Sequence, residues 1–111
     1  MANIDSTAVF EQRVEALGIK DLLPRLRERL FTTYGSFAFA VPMAANGTYD
    51  VKEFMTMVLM PVLQIGEDDP MPPQAAVLRR LFFESHALAM HDLRAKAERT
   101  DGDLPRRLPQ V

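Results

Sequence analysis

Residues 74–99, QAAVLRRLFFESHALAMHDLRAKAER, contain no Gly and no Pro and consist mainly of strong helix formers. The stretch predicts one helix of about seven turns, roughly 40 Å long. Along it Leu78, Leu81, Phe82, Ser85, Leu88, Ala89 and Leu93 advance at steps of three and four, which draws a continuous apolar stripe on one side. A helix of this length with one apolar side is a spine, and the rest of the chain has to supply the faces that cover it.

Upstream, 66–73 reads Gly-Glu-Asp-Asp-Pro-Met-Pro-Pro, acids with three prolines, and is expected to be an extended, stiff connector. Before it, Asp50 and Glu53 have capping-box spacing and open a helix that turns Phe54, Met57, Val58 and Val62 inward, with Pro61 set to kink or end it. Residues 43–49 hold the turn dipeptide Asn46-Gly47 and are read as a loop; Asn46-Gly47-Thr48 also matches a glycosylation sequon, and the turn is the simpler reading. Thr33 caps a short helix from Tyr34 to Ala40 that Pro42 stops. Asp21 is expected to cap a helix with Pro24 in its first turn, running to Phe31 with Leu22, Leu23, Leu26 and Leu30 inside and Arg25 and Arg29 outside. The first helix, Thr7 to Leu17, buries Phe10, Val14 and Leu17 and ends at Gly18, where a left-handed residue is needed. Downstream, 100–111 carries Gly102, Pro105 and Pro109 and is expected to be an extended or disordered tail. The fold class is therefore all-α: a compact bundle of about five helices in one domain, 1–99, with a long C-terminal helix and a tail.

Composition narrows the chemistry. At 111 residues, 48% hydrophobic and 25% charged with net charge −2, the chain fits one globular domain. The absence of Cys removes thiolate metal sites, disulfides and Cys nucleophiles. His86 and His91, five apart, point roughly 140° from each other on a helix and do not pair on one metal. Ser85 beside His86 in sequence carries no catalytic meaning, because a nucleophile and its base must meet in space. Glu67, Asp68 and Asp69 lack the spaced oxygens and bidentate Glu of a calcium loop, and the glycines are scattered rather than gathered into a phosphate loop. No catalytic residue, cofactor or metal site is expected. The apolar run from Phe54 to Ile65 is too short to span a membrane, and the N-terminus lacks the pattern of a secretory signal, so an intracellular location is expected.

Two features suggest partners. Seven Met residues and the cluster Phe37, Phe39 and Val41, together with Phe82 and Phe83, supply more apolar surface than one small core needs. Phe37, Phe39 and Met55 are thus the candidate surface for a protein partner or for self-association. Charge is also segregated, with acids dominating 1–19 and 50–73 and bases 20–49 and 74–111. Lys20, Arg25 and Arg29, with Arg94, Arg99, Arg106 and Arg107, are candidate phosphate contacts if the fold gathers them on one face. The leading expectation is a non-enzymatic helical protein-interaction module; the alternative is a nucleic-acid-binding accessory module.

The segments Leu17-Gly18-Ile19, Thr33-Tyr34-Gly35-Ser36-Phe37-Ala38-Phe39-Ala40, Glu98-Arg99-Thr100-Asp101 and Leu104-Pro105-Arg106-Arg107-Leu108-Pro109 resemble a group of dinoflagellate open-reading-frame proteins. That group has no established activity, so the resemblance assigns no functional residue. Its members continue past the Leu-Pro segment, and some occur in repetitive, mobile-element-like settings, which implies a connection to nucleic acid.

Overall fold

The computed structural model describes residues 4–44, 46 and 48–103, with side chains as far as residue 97. Helix α1, Thr7–Ala16, starts where the Ser6 hydroxyl accepts the Val9 N–H. It ends in a paired closure: Gly18 N–H donates to Glu15 O and Ile19 N–H to Val14 O, with Gly18 at φ 81°. A 3₁₀ turn, Lys20–Leu22, runs into α2, Leu23–Glu28, with Pro24 at the start, where its missing N–H costs nothing.

Helix α2 closes in the same way as α1, with Leu30 N–H donating to Arg27 O and Phe31 N–H to Leu26 O. Here, however, the left-handed residue is Leu30, φ 65°. This closure stops the helix before the expected Phe31 and turns Leu30 outward, 76% exposed, instead of into the core. Helix α3, Tyr34–Ala38, is fixed by a reciprocal cap in which the Thr33 hydroxyl accepts the Ser36 N–H and the Ser36 hydroxyl accepts the Thr33 N–H. Gly35 lets Ile4 lie against this helix; its N–H donates to Ile4 O at 2.8 Å, and a Cβ there would meet that oxygen at 3.3 Å. The helix ends two residues before the expected Ala40.

Helix α4 is continuous through three pieces: α-helical Val51–Phe54, π-helical Met55–Leu59 and α-helical Met60–Leu63. Pro61 explains the wide turns. In an α-helix its ring would strike the carbonyl four residues back; opening the preceding turn, with Met60 N–H donating to Met55 O, removes that contact. The inward residues after Phe54 are consequently Val58, Leu59 and Val62, while Met57, expected inside, is 41% exposed. Gln64, φ 57°, closes the helix. The connector begins as a turn rather than extended chain, Asp69 accepting the Gly66 N–H and donating its own N–H to Gly66 O.

Helix α5, Gln74–Asp103, is the spine, and it extends four residues into the segment expected to be tail; 104–111 lie outside the described residues. Five helices and no strand occur among the described residues, and the class is all-α. The core is strung on aromatic rings. Phe82 of α5 packs on Phe37 of α3 (ring centroids 5.9 Å) and Phe54 of α4 (4.9 Å), and Phe37 packs on Phe10 of α1 (6.0 Å); all four are fully buried.

Candidate protein-docking face

At thirty residues α5 is about 45 Å long and outlasts the helices that cover it. Ala75, Leu78, Leu81, Phe82, Ser85 and Ala89 are buried, and Ser85 satisfies its hydroxyl by donating to Leu81 O at 2.7 Å. Beyond Ala89 none of the described side chains of α5 is fully buried. The same side continues with an ion pair, Lys96 to Asp92 at 3.0 Å, the Asp92 side chain being 12% exposed.

A second line of residues runs beside the buried one. Phe83, His86, Met90, Leu93 and Ala97 succeed each other at steps of three and four, so they share one side of the helix. Phe83 and Leu93 are exposed, and His86 and Met90 are half-buried. Met43 and Ala44 stand against this line and, with His86, Met90, Leu93 and Arg94, form an open groove of about 490 Å³. Met43 is positioned by an antiparallel bridge to Tyr49, whose ring meets Phe83 (5.5 Å), Phe82 (5.6 Å) and Phe54 (5.5 Å) edge to face. The groove floor is therefore apolar and flexible in its thioethers, and its polar edge is cationic or neutral. Arg94 makes no ion pair among the described residues.

The expected partner residues are not gathered here. Phe37 is fully buried between Phe10 and Phe82, because the first turn of α3 faces α5; it is a core residue and not a docking residue. Phe39 is 61% exposed at the end of α3, and Met55 is half-buried against the core. Of the candidate phosphate contacts, Arg25 is engaged by Glu28 (3.3 Å) and by the Gln64 side-chain carbonyl (2.9 Å), whereas Lys20, Arg29 and Arg94 are exposed. The Arg99 side chain, Arg106 and Arg107 lie outside the described residues. Sequence reasoning counts Phe83 in the apolar surplus without placing it on this side of the helix, and it misses Met90. Their spacing is visible, but the same periodicity assigns Leu93 to the buried stripe and leaves the second line incomplete.

The perturbed ionisable groups serve architecture. Glu84 is held below the usual carboxylate range by its hydrogen bonds from Arg13, and Glu11 likewise by Arg27, while burial pushes the Tyr34 phenol up. Among the described residues no three His, Asp or Glu side chains converge as a metal site, and no helix is long and apolar enough to cross a membrane. Compared with protein-family models, with curated proteins and with solved structures, the chain finds no match in any of the three.

Proposed function

We propose that the chain is a non-enzymatic helical protein-interaction module whose groove beside α5 receives the apolar side of a partner helix. The observation that supports this reading is the second line on α5: an apolar stripe at helical spacing, left uncovered next to a wall of Met43 and Ala44. An amphipathic helix laid into a groove anchors through residues at the same three- and four-residue steps. Met43 and Met90 suit a surface that adapts to its guest. Arg94 and His86 on the edge favour a partner helix with acids flanking its apolar side. Nucleic-acid binding has less behind it, since Arg25 and Arg27 are already engaged by acids of the chain.

The test is a photo-crosslinking amino acid at position 93, introduced into the chain in the cells that express it. A discrete protein adduct, lost when Met90 is replaced by Glu in a variant that melts like wild type, supports the module. A second copy as the adduct is the self-associating form of the same reading. No adduct from the intact fold overturns it, and DNA or RNA affinity that falls steeply with salt and weakens in Arg29→Ala and Arg94→Ala moves the assignment to the nucleic-acid alternative.

A further inference from the structure

We propose that the connector ahead of α5 is a docking element in its own right, a short polyproline II ridge that fits the aromatic-lined, basic-rimmed groove of a partner domain. Three prolines stand within four positions, Pro70, Pro72 and Pro73. Each ring fixes its own φ at about −65° and keeps the residue before it out of the helical region, so Asp69, Met71 and Pro72 are all driven to extended backbone. Such backbone winds with three residues per turn, which puts Pro70 and Pro73 on one side, about 9 Å apart. Burial follows the same period: Pro70 and Pro73 are exposed, and Pro72 is half-buried. The position of the Pro73 ring is set by the residue before it, so the turn into α5 that starts there does not displace it.

The ridge is held at both ends. Upstream, the Asp69 carboxylate accepts the Gly66 N–H at 2.6 Å while its own N–H donates to Gly66 O at 3.2 Å. Downstream, Pro72 O and Pro73 O accept the Ala75 and Ala76 N–H groups of α5 at 3.0 and 3.2 Å. Between these anchors neither the Met71 N–H nor the Pro70 carbonyl has a backbone partner among the described residues, so both face a guest unengaged. A segment already rigid in its bound shape loses little entropy on docking, the advantage that SH3, WW and EVH1 grooves draw from proline-rich ligands. Charge sets the rim of the groove. Glu67 and Asp68 are exposed and make no ion pair among the described residues, which calls for a Lys or Arg beside the slot that takes Pro70. Met71, 43% exposed, adds apolar surface next to the ridge.

The full chain, labelled with ¹⁵N, is titrated with isolated SH3, WW and EVH1 domains that carry a basic residue beside the aromatic groove, and its amide signals are followed. The expected result is saturable binding of at least one domain, with shifts confined to residues 66–77. Pro70→Ala and Pro73→Ala each weaken it by about five- to tenfold, the size of one well-seated anchor. Pro72→Ala, off the ridge, weakens it by only about twofold, through chain entropy. Glu67→Lys combined with Asp68→Lys weakens it by about two- to fivefold at low salt and less at high salt. The variants are compared at unchanged melting temperature. Absence of binding by every domain, shifts centred on Met90 and Leu93, equal losses from Pro70→Ala and Pro72→Ala, or an affinity indifferent to the charge reversal overturns the proposal.

Discussion

The guanidinium of Arg13 meets the Glu84 carboxylate edge to edge, Nε to Oε1 at 2.9 Å and Nη2 to Oε2 at 2.7 Å, between residues 71 positions apart. This two-point contact ties α1 to the middle of α5, and Arg80 adds a third at 3.3 Å. Because Glu84 is held below its unfolded value of 4.5, its contribution is complete above that pH and is lost as pH falls below it through the native value. With both side chains about a third exposed, the contribution is about 1 kcal/mol or less. Glu84→Gln is expected to lower the melting temperature slightly at neutral pH and to flatten its acid decline; two acid limbs of equal slope refute the linkage.

Helices α1 and α2 close through the same pair of hydrogen bonds, one on Gly18 and the other on Leu30. A left-handed backbone costs an L-residue with a side chain about 1–2 kcal/mol, and Leu30 gains little in return with its side chain in water. Leu30→Gly is expected to stabilise the protein by about 0.5–1 kcal/mol, after the entropy of glycine in the unfolded chain is subtracted. Gly18→Ala is expected to destabilise by about 1 kcal/mol through the backbone alone, since a Cβ there meets nothing within 4 Å. Chemical denaturation of the two variants checks both signs.

Phe82 and Leu93 lie on one helix, and their truncations are expected to separate cleanly. Phe82→Ala removes the ring on which α3, α4 and Tyr49 converge and costs about 3–5 kcal/mol. Leu93→Ala stays within about 0.5 kcal/mol of wild type, because half of that side chain is already in water. Comparable losses from both would place the end of α5 in the core and remove the proposed docking face.

At the start of α4 the Asp50 carboxylate accepts the N–H groups of Lys52 and Glu53. Asp50→Ala is expected to cost about 1 kcal/mol, and Asp50→Asn to recover most of it. Urea midpoints for the pair decide whether the cap acts through hydrogen bonding or through charge.

Much of this architecture is legible in the sequence because it is local. The Gly- and Pro-free run of α5, the caps at Thr33 and Asp50, and Gly18 after α1 are written within a few residues of where they act. Leu30 is misplaced by its apolar spacing, which puts it inside, while nothing in its neighbours announces that α2 ends by a left-handed turn on a leucine. Phe37 looks like surplus because counting apolar residues does not reveal which of them Phe10 and Phe82 enclose. The Arg13–Glu84 contact spans most of the chain and leaves no local trace. The exposed second line on α5 is half legible: its spacing is in the sequence, but its exposure depends on where the other helices stop.

The π turns of α4 make that helix one residue longer than its job requires. Phe54, Val58, Leu59 and Val62 all reach the core, and removing one residue between Phe54 and Val58 brings them to the spacing of an unbroken α-helical seam. Elsewhere in a helix a deletion turns everything after it by about 100° and strands the buried side chains on the wrong side. Here the surplus is stored where it can be withdrawn without rotating Val58, Leu59 and Val62 away from the core, but closing the wide turn returns the Pro61 ring to the carbonyl four residues back, so the chain tolerates a shortening between Met55 and Met57 only together with replacement of Pro61.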